Sequence, residues 1–210
     1  MKQATWYFDY VSPYAYLQSE MLDRFGGRLE LTPVPVLFAG LLNHWGTVGP
    51  AEVGPKRAWT YRETLILADR AGIPMRYPPG HPFNPLAALR LTIAAGCTWD
   101  AVHGIYRFIW QEGRDMADPA AVAEIAGRLG IDNVAARLAA PEVKDRLRTN
   151  TEEAIAAGVF GVPTVRVDGE NFWGVGATDL VLAYLDDPSI LDTEALRHAA
   201  ALPAAAERRR

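Results

Sequence analysis

The beginning of the chain changes from a strand-like pattern to a helix-like one. Residues 4–11 are aromatic and β-branched, which predicts a strand. Ser12-Pro13 predicts a helix start, because serine is a good N-cap and proline is favoured at the first helical position. Apolar residues continue at helical spacing up to Gly26-Gly27, where we expect the helix to end.

Residues 28–37 predict a second strand that carries Pro33 and Pro35. Because proline cannot donate to a hydrogen-bond ladder, these residues favour an edge strand or a strand that soon ends. The opening is therefore β-α-β, and its short crossover favours parallel pairing of the two strands.

The middle of the chain has a helical pattern from about Pro55 to Gly158. Clusters of glycine and proline divide this alanine-rich stretch, and we expect about six helices in it. Asp118-Pro119 predicts the N-cap and first residue of one of them. The stretch is interpreted as a folded helical block rather than a linker.

Strand patterns return near the end of the chain. Residues 163–173 alternate around Asp168-Gly169-Glu170, a strong hairpin signal, and a last helix is expected from about Thr178 to Leu185. Without the helical block, the order is β-α-β-β-α, which is that of the thioredoxin fold. We predict an α/β, thioredoxin-like fold with a large all-helical insertion. The predicted units are a discontinuous thioredoxin-like domain (1–40 and 155–200), the helical insertion (41–154) and a disordered tail (201–210).

Composition narrows the classes of partner. The chain has 210 residues, half of them hydrophobic, and a net charge of −4. This charge gives no general reason to expect nucleic acid or an anionic membrane as a partner. Polar residues interrupt every apolar run, so neither an export signal nor a membrane span is predicted, and we expect a cytosolic protein.

Cysteine and histidine usage argues against redox and metal chemistry. Cys97 is the single cysteine, so the chain can form neither an internal disulfide nor a C-x-x-C pair. It lies in an alanine-rich run, where a small buried hydrophobe is the favoured interpretation. The four histidines show no metal-ligand spacing, so no metal site is expected. They are His44, His81, His103 and His198.

Two segments carry a family resemblance. Residues 8–17 are Phe-Asp-Tyr-Val-Ser-Pro-Tyr-Ala-Tyr-Leu, and residues 158–174 contain Gly-Val-Pro-Thr followed by Asp-Gly-Glu. Both resemble the 2-hydroxychromene-2-carboxylate isomerases and, more distantly, the kappa-class glutathione transferases. These families belong to the disulfide-oxidoreductase A-like (DsbA-like) branch of thioredoxin folds. The resemblance covers roughly residues 5–185, and Lys56-Arg57 and Pro82-Phe83-Asn84 support it.

The resemblance places Ser12 where a redox thioredoxin has its first active cysteine. A helix N-terminus favours an anion such as a thiolate, and can lower a thiol pKa from its usual ~8.5. Without a cysteine at this position the thiolate must come from outside, and glutathione is the expected donor and cofactor. Ser12 would then donate a hydrogen bond to the bound sulfur. The alternative is that Ser12 only caps its helix.

The second motif implies a cis peptide bond before Pro163, opposite Ser12. Such a bond would leave the Val162 backbone free to pair with an extended peptide, and glutathione is such a peptide. The alternative is an ordinary trans proline at the start of a strand.

Further contacts to glutathione follow from the resemblance. Lys56 matches a family lysine that contacts the glycyl carboxylate, although a solvated lysine at a helix start is an equal alternative. Val175 and Gly176 open the last helix, so their N–H groups could hold the glutamyl carboxylate.

The chain departs from its relatives at two of these positions. They usually carry asparagine at the position aligned with Thr47, and an acid that binds the glutamyl ammonium where this chain has Gly176. Loss of a charge-assisted partner costs on the order of 1.5–3 kcal/mol. Asp179 could replace the acid, but its spacing predicts that it faces another direction of the helix.

A second, aromatic substrate needs a site of its own. Several aromatic residues and one amide could line this site, although each aromatic is as readily explained as plain core. They are Tyr14, Trp45, Phe83, Trp110 and Asn84.

Three functions compete. The leading one is a glutathione-dependent isomerase of an aromatic, conjugated carbonyl compound. The second is a kappa-like glutathione transferase acting on other electrophiles. The third is a non-catalytic binding module, which the substitutions at Thr47 and Gly176 favour. A homodimer is suggested only by the relatives.

Overall fold

The computed structural model describes residues 1–204, and its sheet has four strands within that range. The strand order is β2-β1-β3-β4, with β1 parallel to β2 and antiparallel to β3, and with β3 antiparallel to β4. The parallel opening and the hairpin are confirmed, and the proline-bearing β2 lies at an edge of the sheet. The strands are β1 (Lys2–Phe8), β2 (Leu29–Pro35), β3 (Thr164–Val167) and β4 (Glu170–Trp173).

Helices fill the chain between and after the strands. Six of them, α3 to α8, match the six expected in the helical block, and Asp118 caps α6 as predicted. Two others, α2 and α10, had no predicted counterpart. The helices are α1 (Pro13–Ser19), α2 (Phe38–Trp45), α3 (Gly54–Ala71), α4 (Leu86–Ala94), α5 (Trp99–Trp110), α6 (Pro119–Arg128), α7 (Val134–Ala139), α8 (Pro141–Ala156), α9 (Thr178–Asp186) and α10 (Glu194–Ala200).

The first strand and the first helix both end earlier than predicted, and the strand also begins earlier, at Lys2. β1 ends at Phe8 because Asp9 leaves the ladder and its carbonyl oxygen accepts the Ser12 N–H at 3.0 Å. Helix α1 ends at Ser19, whose hydroxyl donates to the Tyr16 carbonyl oxygen at 2.7 Å, and a 3₁₀ turn then leads to the glycine pair. A side chain that bonds to the preceding turn in this way competes with helix continuation.

An aromatic cluster joins the sheet to the helical block. Trp6 and Phe8 of β1 stack with centroids 4.7 Å apart, and Tyr10 lies 4.5 Å from Tyr106 of α5. The indole Nε1–H of Trp110 donates to the Tyr10 carbonyl oxygen at 2.9 Å. All five side chains are fully buried, so Trp110 belongs to this core and not to a substrate site.

The predicted domain division remains a prediction. Its boundary between residues 40 and 41 falls inside α2, and the main core draws residues from both predicted units. The predicted tail, 201–210, lies outside the described residues from position 205 onward. Among residues 1–204 we find no helix with the length and apolar character needed to cross a membrane.

Replacing the buried Trp110 by alanine should destabilise the protein by about 3–5 kcal/mol, because the change leaves a large cavity and an unpaired carbonyl group. Trp59→Ala is the matched control, since this tryptophan of α3 is 58 % exposed, and should cost less than about 1 kcal/mol. Urea unfolding of both variants measures the difference, and equal losses would contradict the assignment of Trp110 to the core.

Candidate functional site

Ser12 lies at the start of α1, and its side chain bonds in two directions. Its Oγ accepts the Ala15 N–H at 3.2 Å, which is the predicted N-cap bond, and donates to the Val162 carbonyl oxygen at 3.4 Å. The Val162-Pro163 peptide bond is cis, as the family motif implied. The serine is 6 % exposed, so the two motifs that are 150 residues apart in the chain meet at one buried hydroxyl group.

A mostly apolar cavity of about 340 Å³ opens beside Ser12. We call it the Ser12 cavity. Ligand pockets in proteins are usually apolar with a few placed polar groups, and this cavity is at the small end of their usual range. Its walls include Asp9, Ser12, Phe38, His81, Phe83 and Pro85.

A second, larger depression of about 740 Å³ adjoins the first and carries charges of both signs. We call it the charged groove. Four residues line both the groove and the Ser12 cavity and so form their common wall: Tyr14, Pro50, Val162 and Trp173. The groove is also lined by Arg24, Glu63, Arg70, Gly174, Gly176 and Asp179.

Lys56 lies in a third depression, which shares Tyr14 and Pro50 with both others. The structure thus gathers most of the predicted site residues into three adjoining spaces. Ser12, Tyr14, Phe83 and Val162 line the Ser12 cavity, Val175 and Gly176 line the groove, and Lys56 lines the third space.

Besides Trp110, four predicted site residues line none of these spaces. One is the cis proline, Pro163, which is buried and follows Val162 in the chain, and the other three are Trp45, Thr47 and Asn84. The Trp45 indole N–H donates to the Val159 carbonyl oxygen at 3.0 Å. Thr47 is exposed just beyond α2. The Asn84 side-chain oxygen accepts the Leu86 N–H at 3.0 Å, where α4 begins. These three side chains have local structural roles or lie at the surface.

Asp179 lines the same groove as Gly176 and forms an ion pair with Arg24. The expectation that Asp179 faces a different direction is therefore not met. A 3₁₀ turn, Val175–Ala177, precedes α9 and changes the angular spacing of the two positions.

Asp9 is a residue of the site that sequence reasoning missed. Its carboxylate is fully buried and accepts the Phe38 N–H at 2.8 Å and the Val11 N–H at 3.1 Å. Burial raises the pKa of Asp9 to about 7, and the backbone hydrogen bonds oppose this shift. An acid within an aromatic, strand-like run, three positions before Ser12, was the available sequence signal.

His81 is a second missed residue. Its Nε2 lies 2.8 Å from the Val11 carbonyl oxygen, which can only accept, so the proton is on Nε2. Its Nδ1 lies 2.9 Å from the Tyr61 hydroxyl. Burial lowers the pKa of His81, so the neutral ring predominates at neutral pH. This ring therefore holds the peptide that leads into Ser12.

Tyr14, a residue of the common wall, is bound by an acid of the charged groove. Its hydroxyl donates to the Glu63 carboxylate of α3. Burial and the hydrogen bond to Glu63 raise the pKa of Tyr14 to about 12, so the phenol stays protonated.

Cys97 does not line either space, and burial raises the pKa of its thiol. The thiol is therefore not activated. The described residues bring together no group of three His, Cys, Asp or Glu side chains that could hold a metal ion.

The sheet order and the cis proline opposite a helix start define a thioredoxin-like protein, and this one has no cysteine pair. The chain belongs to the family described as the DSBA-like thioredoxin domain, whose model matches residues 4–186. This confirms the predicted fold class.

Named relatives cover most of the chain. Glutathione S-transferase kappa 2 of Caenorhabditis elegans is 28 % identical over 81 % of this chain and 83 % of its own length. A 2-hydroxychromene-2-carboxylate isomerase of Sphingobium xenophagum is 27 % identical over 89 % of this chain and 99 % of its own length. A solved structure of 2-hydroxychromene-2-carboxylate isomerase covers 90 % of this chain and 97 % of its own, with a TM-score of 0.77 at 21 % identity, which shows a common fold. Both families suggested by the sequence motifs are thus among the relatives.

The Asp9 carboxyl should make stability depend on pH. The pKa of this carboxyl is 3.8 in the unfolded chain and about 7 in the folded protein, so the folded state binds the proton more tightly. The resulting contribution to the free energy of unfolding is complete below pH 3.8 and is lost as the pH rises to about 7. The loss is about 4 kcal/mol. Asp9→Asn should remove this component, so the difference in unfolding free energy between wild type and variant should change with pH across that window. Parallel stability curves from urea unfolding would contradict the assignment.

Proposed function

We propose that this protein is a glutathione-dependent isomerase of the 2-hydroxychromene-2-carboxylate type. The observation that carries the proposal is the hydrogen bond from the Ser12 hydroxyl to the carbonyl oxygen of Val162, the residue before the cis proline. Val162 also lines both the apolar cavity and the charged groove. The names of the relatives support the reaction class and the thiol.

The charged groove is the proposed site for the charged groups of glutathione, with its thiol extending past Val162 of the common wall to Ser12 in the adjoining cavity. A tripeptide with an ammonium group and two carboxylates needs partners of both signs, and the groove has Arg24, Arg70, Glu63 and Asp179. Gly176 lacks the acid of the relatives, and Asp179 takes its place in the proposal. Lys56, in the adjoining space, would bind the glycyl carboxylate.

Ser12 has a double role in this proposal. Its hydroxyl donates to the Val162 carbonyl oxygen over a long 3.4 Å. When a thiolate arrives, the hydroxyl can turn to donate to the sulfur, and the Val162 carbonyl becomes free to accept an N–H from the peptide. Thiolate stabilisation and peptide docking would then occur together.

The Ser12 cavity is the proposed site for the aromatic substrate. Glutathione held beside Ser12 would supply a thiolate for reversible addition to the conjugated system, which would allow the former double bond to rotate before the same carbon–sulfur bond breaks. The reaction would involve no net oxidation and would leave glutathione unchanged.

A kappa-like transferase is the second candidate, and the relative from Caenorhabditis elegans favours it. It would use the same groove and differ in the electrophile held in the Ser12 cavity. A non-catalytic binding module is the third, favoured by the position of Thr47 outside the cavities and by Gly176. A cytosolic location and a homodimer remain predictions.

Ser12→Ala should lower kcat/KM for 2-hydroxychromene-2-carboxylate with glutathione by about ten- to a hundredfold, since a hydrogen bond to a charged sulfur is lost. Thr193→Ala is the control, because Thr193 also caps a helix, α10, and accepts the Leu196 N–H at 3.2 Å. The ultraviolet absorbance of the thiolate should show a lowered pKa for bound glutathione in wild type and a higher one in Ser12→Ala. Unchanged activity would rule out the role given to Ser12.

Calorimetric titration tests the glutathione site directly. Asp179→Asn should weaken glutathione binding by about tenfold, because a carboxylate partner of the ammonium group is lost. Asp186→Asn is the matched control, since Asp186 is also an exposed acid of α9 paired with an arginine, Arg28. It should bind like wild type. No heat at millimolar glutathione with wild type would favour a binding module or another thiol.

A further inference from the structure

We infer that Trp173 is the aromatic-recognition residue of the Ser12 cavity, selecting planar aromatic substrates by stacking. This inference rests on the proposed function for the identity of the substrate. Trp173 lies at the end of β4, lines both the cavity and the charged groove, and is 55 % exposed. A half-exposed indole in the wall between two spaces can offer its apolar face to a ligand in either of them.

The position of the indole ring is set by a glycine. A Cβ atom added to Gly161 would lie 2.5 Å from the Trp173 Nε1 and 3.1 Å from Cε2, so the ring lies directly over the Gly161 backbone. Any side chain at position 161 would displace the ring. Gly161 directly precedes the Val162-Pro163 cis peptide. The residue that positions the indole ring is therefore next to the peptide at which the thiol is proposed to bind.

Two further contacts hold this arrangement. Trp173 pairs with Thr164 in the β3–β4 ladder, and the Thr164 hydroxyl donates to the Gly161 carbonyl oxygen at 2.7 Å. Phe160 meets the indole edge-to-face with centroids 5.0 Å apart. The exposed ring therefore has a defined orientation before any ligand binds, which lowers the entropic cost of stacking.

The position of Trp173 in the common wall determines which ligands its indole ring can contact. A planar substrate in the Ser12 cavity and a thiol in the groove meet at a wall formed by Tyr14, Pro50, Val162 and Trp173. The indole is the largest aromatic surface among these four residues. It would stack on the aromatic ring of the substrate and leave the glutathione contacts to Ser12, Val162 and the charged side chains.

Direct binding of trans-cinnamate, with hexanoate as the non-aromatic comparison, tests this role. Trp173→Ala should weaken cinnamate binding by about three- to tenfold, the range expected for an aromatic pair. Trp173→Phe should retain most of the affinity, and hexanoate binding should differ little among all variants. Binding is followed by calorimetry, and cinnamate should also quench a fluorescence component present in wild type and missing from Trp173→Phe.

Gly161→Ala provides a second variant that keeps the tryptophan but displaces its ring. It should weaken cinnamate binding as Trp173→Ala does. Gly127→Ala is its matched control, since an added Cβ at Gly127 of α6 meets nothing within 4 Å. Circular dichroism of each variant verifies that it folds. If Trp173→Ala does not fold, Gly161→Ala and the quenching still decide the inference.

Cinnamate binding that is unchanged in Trp173→Ala or Gly161→Ala would overturn the inference. An equal loss of glutathione affinity in Trp173→Ala would also overturn it, because the ring would then belong to the thiol groove. Failure of wild type to bind glutathione would instead contradict the proposed function, and the cinnamate measurements would still decide the role of Trp173.

Discussion

The buried carboxyl group and backbone of Asp9 hold together the parts of the molecule on which the site depends. The side chain binds the N–H groups of Val11 and Phe38, and the carbonyl oxygen accepts from the Ser12 N–H and from the Tyr106 hydroxyl. One residue thus joins the end of β1, the turn into α1, the start of α2 and the middle of α5. Because the group has no exposed surface, each of these bonds lies in a region of low dielectric constant, where it is strong and costly to lose.

The site results from two spaces on either side of one wall, of which only the groove is lined by charged side chains of both signs close to mostly apolar surface. The Ser12 cavity is mostly apolar and suits a planar organic molecule, whereas the groove has paired charges and suits a zwitterionic peptide. Val162, whose peptide bond to Pro163 is cis, lines both spaces. In the proposed reaction the peptide thiol and the aromatic electrophile would bind in adjoining spaces, so that the common wall would hold the two reacting groups close together.

Much of this arrangement was predictable from local sequence. The Ser12-Pro13 pair determined a capped helix start, and the alternation around Asp168-Gly169-Glu170 determined the hairpin. The cis proline was predictable only through the family motif. These features depend on steric and hydrogen-bonding preferences of neighbouring residues, which act in the same way in any fold.

The tertiary structure alone decided which residues meet. Trp45, Thr47 and Asn84 had suitable chemistry, but they lie outside the cavities, because placement depends on how α2 and α4 pack. Asp9 lies in the first family motif and His81 directly precedes Pro82, but their local sequence does not show that they are buried. Their altered pKa values arise from burial by segments distant in the chain.

Ser12 shows the same division between sequence and structure. The sequence by itself determined a serine N-cap in a chain without a cysteine pair. Only the fold brought the Val162 carbonyl, 150 positions away in the chain, within reach of its hydroxyl. The physical reason is that caps and turns are short-range interactions, whereas a cavity exists only where distant segments close around it.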